Sequence, residues 1–186
     1  MKRVFLLAAL MVLLCGCAGG DRELERAMAY RSALLKAEGC RFSAEVTADY
    51  GDILHSFSMD CRTDANGNLS FSVTAPETIA GITGAVSQEG GTLRFDDEAL
   101  HFELMAQEQL SPVSAPWIFM KTLRSGYLTS ASTEGELLRL TIDDSYEEDA
   151  LRLDIWLKEE DMPVRAEILY DGKRILTMDV KDFVLL

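Results

Sequence analysis

The sequence predicts a single α+β domain that is mainly antiparallel β. Three observations carry that expectation. At least eight segments alternate apolar and polar residues with period two, while two stretches show helical spacing instead. No repeat and no Gly/Ser/Pro-rich linker divides the 186 residues, a length that suits one hydrophobic core.

The first residues read as an export signal. Met1-Lys2-Arg3 is a positive head, and Val4 to Leu14 is an uninterrupted apolar run. That run is shorter than the roughly 20 residues a membrane-spanning helix needs. It ends in Leu14-Cys15-Gly16-Cys17, followed by Ala18-Gly19-Gly20, and these residues resemble a bacterial lipobox. The resemblance implies cleavage after residue 16, a diacylglycerol thioether on Cys17, and a short tether over residues 17–20. An acyl CH₂ adds about 0.8 kcal/mol of membrane partitioning, so two chains make a lasting anchor. The expected location is the outer face of the cell membrane, with residues 21–186 as the exported domain.

Asp21 to Glu38 has the spacing of an amphipathic helix, with Leu24, Ala27, Met28, Leu34 and Leu35 as its apolar side and Gly39 as its stop. The mixed charge of its polar face argues for packing on a sheet rather than lying on a membrane. Residues 41–48 and 53–60 then alternate around Asp49-Tyr50-Gly51-Asp52, which predicts a hairpin. With a two-residue loop at Tyr50-Gly51, partner numbers sum to 101. Phe42 then faces Met59, Val46 faces His55, and Cys40 faces Cys61 at a closely spaced position. An exported protein with an even pair of remaining cysteines makes a Cys40–Cys61 disulfide the expectation, and two buried reduced thiols the alternative.

A turn at Asp64 to Asn68 leads to a third strand with Leu69, Phe71 and Val73, ended by Pro76. Ile79 to Gln88 is a weaker segment whose Gly81 and Gly84 predict a bend or bulge. Thr92 to Phe95 and Leu100 to Leu104 are strands flanking the acidic turn Asp96-Asp97-Glu98. Ser114 to Leu123 reads as a short apolar helix, with Pro116 in its first turn and Gly126 after it. Four further alternating runs close the chain, at Leu138–Ile142, Leu151–Leu157, Val164–Tyr170 and Leu176–Val180. Matching the faces of the last two requires an even partner sum, which predicts a three-residue loop with a bulge after Tyr170.

Charge narrows the partners. With 18 basic and 31 acidic residues the chain carries −13, and no basic stripe offsets it, so nucleic acid is excluded as an expected partner. Cleavage would remove Lys2 and Arg3, leaving 16 basic residues against 31 acidic ones, a net −15. An anionic membrane surface should then repel the domain within a Debye length of about 8–10 Å, leaving the covalent anchor to hold it there.

Chemistry-bearing motifs are absent from the sequence: there is no Gly-x-Ser-x-Gly, His-Glu-x-x-His, Walker loop or Cys-x-x-Cys. Only His55 and His101 are present, and the hairpin register points His55 to the apolar face as a core histidine. The clusters at Asp96–Glu98, Asp143–Asp149 and Glu159–Asp161 read as solvated loops rather than calcium sites or a glycosidase pair. No catalytic residue, metal or cofactor is expected, and the chain is read as a non-enzyme.

The order of elements, the Pro after the third strand, and the run Leu153-Asp154-Ile155-Trp156-Leu157 … Met162-Pro163-Val164-Arg165-Ala166 with Lys181-Asp182-Phe183 resemble the LolA/LolB/LppX superfamily, which includes LolA-like spore-germination lipoproteins. That resemblance implies a strongly curved, half-open β-barrel covered by the two helices, with a concave apolar face that receives acyl chains. Its expected lining is Phe42, Val46, Phe57, Phe71, Leu93, Phe95 and Phe102, with Trp117 and Phe119 near the mouth; a filled core would use the same residues. Two functions follow as expectations. One is a membrane-anchored lipoprotein binding a lipid or other hydrophobic ligand in that cavity. The other is an accessory lipoprotein that docks a protein partner, such as an envelope or spore-cortex enzyme.

Overall fold

A computed structural model describes residues 19–51, 53–106, 109–147 and 150–186. The expected signal and the expected lipidation at Cys17 lie outside the described residues. In chain order come α1 (Gly19–Lys36), β1 (Cys40–Asp49), β2 (Leu54–Thr63), β3 (Leu69–Ala75), β4 (Thr83–Ser87), β5 (Gly90–Phe95), β6 (Glu98–Phe102), β7 (Met105–Ala106) and β8 (Gln109–Leu110). A 3₁₀ turn leads into α2 (Ala115–Ser125), then β9 (Tyr127–Glu134), β10 (Leu137–Asp143), β11 (Arg152–Leu157), β12 (Pro163–Tyr170) and β13 (Lys173–Leu185).

Among the described residues, eleven strands form one antiparallel sheet in the order β6-β5-β4-β3-β2-β1-β13-β12-β11-β10-β9. Its two edge strands are not paired with each other, so the sheet is an open barrel with helices, as the resemblance implied. β13 closes the middle by pairing with both β12 and β1. Alternation does what period two dictates: β1 and β10 bury every second residue.

The hairpin register differs from the expected one by two residues. β1 runs to Asp49 and β2 starts at Leu54, so the connection is four residues long, closed by Tyr50 N–H donating to the Ile53 carbonyl at 3.1 Å. Gly51 takes φ +85°, and its N–H donates to Asp49 Oδ1 at 2.9 Å. Partner numbers therefore sum to 103. Ala44 faces Met59, Val46 faces Phe57, Ala48 faces His55, and Cys40 faces Thr63 rather than Cys61. A two-residue shift keeps every side chain on its expected face, which is why alternation alone could not detect it.

The expected disulfide is not formed. Cys40 and Cys61 are free and buried. The Cys40 thiol lies 3.1 Å from Thr63 Oγ1 and 3.7 Å from Met120 Sδ. Burial pushes both thiols above their ordinary pKa, which removes the thiolate that alkylation needs. Iodoacetamide without reductant should modify neither residue in the folded protein and both in denaturant. A Cys40–Cys61 disulfide would leave both unmodified in denaturant as well, a difference read by mass.

One other loop differs from expectation for an identifiable reason. β12 and β13 are joined by two residues, Asp171 (φ +48°) and Gly172 (φ +69°), with Tyr170 facing Lys173. The bulge sits inside the ladder between Ile168 and Leu169, so Ile168 still faces Leu176 with the even sum that the faces require. In the glycine-rich region the expected bulge is present at Gly81 (φ +89°), just before β4. The Gly81 N–H donates to the Val73 carbonyl at 2.9 Å while the Val73 N–H donates to the Ile82 carbonyl at 2.8 Å, so two residues oppose one, and the β3–β4 ladder beyond it is unbroken. Gly84 is there for space: an added Cβ would lie 2.5 Å from the Phe71 ring and 2.6 Å from the Thr92 carbonyl. Gly91 likewise leaves room for the Phe102 ring, at 2.0 Å.

β9 was not anticipated. Its Thr129, Ser130, Ser132 and Thr133 carry no apolar alternation, and it forms the sheet edge against which α1 packs. α2 starts one residue later than expected and ends two later. Gly126 follows it with φ −73°, and an added Cβ would meet Ile142 Cγ2 and the Thr122 carbonyl at 2.7 Å. The stop is thus a close approach, not a left-handed turn. No helix among the described residues is long and apolar enough to cross a membrane.

Candidate functional site: the uncovered β5–β6 wing

α2 fills the concavity of the sheet with its own side chains. Phe119 is fully buried and meets Phe42 edge-on, with ring centroids 5.8 Å apart, while Phe42 stacks on Phe183 at 5.7 Å. Val46, Phe57, Phe71 and Trp117 belong to the same buried cluster. Six of the nine expected lining residues, namely Phe42, Val46, Phe57, Phe71, Trp117 and Phe119, are therefore buried in the packed core, with Trp117 also reaching the wall of a cleft beside α2. The reason is the apolar surface of α2: Trp117, Ile118, Phe119, Met120 and Leu123 are all buried, which leaves the inner face of the central strands covered.

The remaining three residues lie where that cover stops. Registry transmits the inner face outward strand by strand: Phe71 faces Gly84, Gly84 faces Leu93, and Leu93 faces Leu100. Directly opposed residues share a face. Leu93, Phe95, Leu100 and Phe102 thus continue the concave face onto β5 and β6. Here the apolar side chains are open to solvent: Phe95 is 54% exposed and Leu100 64%, with Leu93 and Phe102 half-buried beside them.

Leu100 was not among the expected site residues. The two-residue turn Asp96-Asp97, with Phe95 facing Glu98, places it opposite Leu93. The sequence carried that signal in the turn but left its length open. At one end of this wing, a cleft of about 440 Å³ lies between the β4–β5 turn and α2, lined by Ser87, Gln88, Asn68, Trp117, Lys121 and Arg124. Arg124 is anchored there by donating to the Leu34 carbonyl (3.3 Å) and the Ala65 carbonyl (3.0 Å). Lys121 Nζ is 3.7 Å from Asp144 and 5.9 Å from the Trp117 ring centre.

Several titratable groups elsewhere are held in ion pairs and hydrogen bonds. Asp161 pairs with Arg26, Asp143 with Arg152 at 2.9 Å, and Asp144 Oδ1 accepts the Leu151 N–H at 2.8 Å. On the outer face Asp154 accepts from Arg139 (2.8 Å) and Thr141 (2.7 Å), while Glu167 accepts from Arg165 and Arg174. Trp156 lies between Arg139 and Arg165 and donates from Nε1 to Glu134 at 3.0 Å. His55 does share the inner face, yet it is exposed, which corrects its reading as a core histidine. His101 is on the outer face, 3.1 Å from Thr92 Oγ1. Among the described residues, no group of three or more His, Cys, Asp or Glu is arranged to hold a metal ion.

No family model and no curated protein matches the chain. Solved structures do. The chain is similar to the lipoprotein LppX of Mycobacterium tuberculosis (13% identity, TM-score 0.43, covering 88% of this chain and 96% of that one). It is similar to a LolA superfamily protein of Nitrosomonas europaea (8% identity, TM-score 0.44, 86% and 93% covered). It is also similar to a chain in the structure of the CwlD amidase of Clostridioides difficile in complex with the GerS lipoprotein (13% identity, TM-score 0.46, 88% and 96% covered).

Proposed function

We propose that the chain is an extracytoplasmic lipoprotein, anchored to the membrane through a diacylglycerol on Cys17, that binds an apolar ligand such as an acyl chain on the β5–β6 wing. The observation that carries this reading is the exposure of Phe95 and Leu100 on the concave face. Covering what these two side chains leave open contributes on the order of 2 kcal/mol, and each ligand methylene buried adds about 0.8 kcal/mol. Binding of this kind needs no catalytic group. A polar head group would sit in the cleft at Lys121, at the end of the wing where Ser87 and Gln88 turn.

The full chain, incubated with a fatty acid bearing a photoactivatable diazirine, should be labelled on residues 93–102. Phe95→Asp with Leu100→Asp should abolish the labelling while leaving the melting temperature nearly unchanged, because both side chains are exposed. A second reading is favoured by one feature of the same place. β6 is a sheet edge with a free row of backbone groups, which suits addition of a partner's strand. Labelling that never appears, together with a stoichiometric protein bound to the wing, would favour that reading over the first.

A further inference from the structure

α1 has two apolar faces, and the fold uses one. Ala27, Tyr30 and Leu34 are buried where the helix meets β9 and α2. Leu24, Met28 and Leu35, expected from the sequence to belong to the packed side, are instead 45%, 51% and 50% exposed. At 100° per residue their spacing puts all three within about 40° of one another around the helix, so they form one solvent-facing stripe beside the buried face. Three aligned apolar side chains left open along one helix mark an interaction surface more than scattered exposure does.

We infer that this stripe rests on the bilayer to which the chain is anchored, so that α1 lies along the membrane surface. The inference depends on the reading of Cys17 as the lipidated residue. Cys17 is two residues before the start of α1 at Gly19, and Leu24 is five residues further on. With about 1.5 Å per helical residue and at most ~3.6 Å per extended one, Leu24 lies within about 15 Å of the acylated sulfur's backbone. A tether this short leaves the first turns of α1 no place but the headgroup layer.

The mixed charge of α1, which by itself favours packing on a sheet, does not oppose that placement. In a chain of −13, α1 has four basic residues and three acidic ones, and among the described side chains the charges flanking the stripe on its open side are Arg22, Glu25 and Lys36. The repulsion expected between the acidic domain and an anionic surface is therefore absent from the element nearest the anchor. Contact through α1 fixes the orientation of the domain. It also separates the membrane-bound element, packed on β9 at one edge of the sheet, from β6 at the other edge.

The test uses the full acylated chain in phosphatidylcholine–phosphatidylglycerol vesicles whose acyl chains are brominated, a short-range quencher of tryptophan. The emission added by Met28→Trp, or by Leu24→Trp as a second exposed position, should be mostly lost. The emission added by Lys173→Trp, at the exposed β12–β13 turn, should be retained. An intact mass without diacylglycerol on Cys17 would overturn both the anchor and the stripe. An acylated chain in which Met28→Trp and Leu24→Trp are quenched no more than Lys173→Trp would overturn the stripe alone, as would protection of the stripe by a bound protein instead of lipid.

Discussion

Phe119→Ala is expected to destabilise the chain by about 3–5 kcal/mol, the usual cost of deleting a buried aromatic ring. The ring is fully buried, touches Phe42 edge-on, and through Phe42 supports the stack with Phe183. Its removal therefore leaves a void between α2, β1 and β13 that the surroundings close only in part. For a chain of this length the loss should appear as a fall of roughly 8–15 °C in melting temperature, with an unchanged urea m-value. The contrast with Phe95→Ala is informative: that ring is 54% exposed, so its truncation should cost about 1 kcal/mol or less. Were Phe119 the wall of an open lipid cavity, the two substitutions would cost similar amounts.

The second large effect is expected on the outer face. Asp154 is buried although it stands on the convex side, with a side chain only 7% exposed, and Arg139 is its cationic partner at 2.8 Å. Arg139→Ala would leave that carboxylate with Thr141 as its remaining donor and would strip one face of Trp156 of its cation. Breaking a buried pair costs about 3–5 kcal/mol. Arg139 itself is 39% exposed, so about 2–3 kcal/mol is the expected loss in chemical denaturation. Adding Asp154→Ala removes the stranded charge and should recover part of the loss, a coupling that a double-mutant cycle measures directly. A cost for Arg139→Ala within about 0.5 kcal/mol would mean that the pair behaves as an ordinary surface salt bridge.

These two sites show which parts of the molecule were legible in the sequence. Strand faces were, because apolar residues two apart must share a side: Phe42, Val46, Phe57 and Phe71 all point inward as expected. Pairing was not, since a shift of two residues at the Tyr50–Ile53 loop moves Cys40 from Cys61 to Thr63 without turning any side chain over. Helical periodicity has the same blindness. Leu24 and Met28 lie next to Ala27 on the helix surface, and nothing in the spacing says which of two adjacent stripes β9 and α2 will cover.

The candidate site was half legible for a related reason. Leu93, Phe95 and Phe102 were picked out by the same alternation that picked out Phe42 and Val46. Only the reach of α2 across the sheet separates exposed wing from filled core. That reach depends on tertiary contacts of Trp117, Phe119 and Met120, which no local pattern encodes. Trp156, Arg165 and Asp154 were noticed as part of a resemblance, whereas their actual employment is an ion and cation–π ladder across β10, β11 and β12.

The central claim is that apolar binding takes place on the open wing and not inside the barrel, and photolabelling with the diazirine fatty acid tests it most directly. Digestion and mass spectrometry of the labelled full chain should place the adducts on the peptide containing Leu93, Phe95 and Leu100. Adducts on the peptides of Phe42, Val46 or Phe119, or labelling that survives Phe95→Asp with Leu100→Asp, would contradict it.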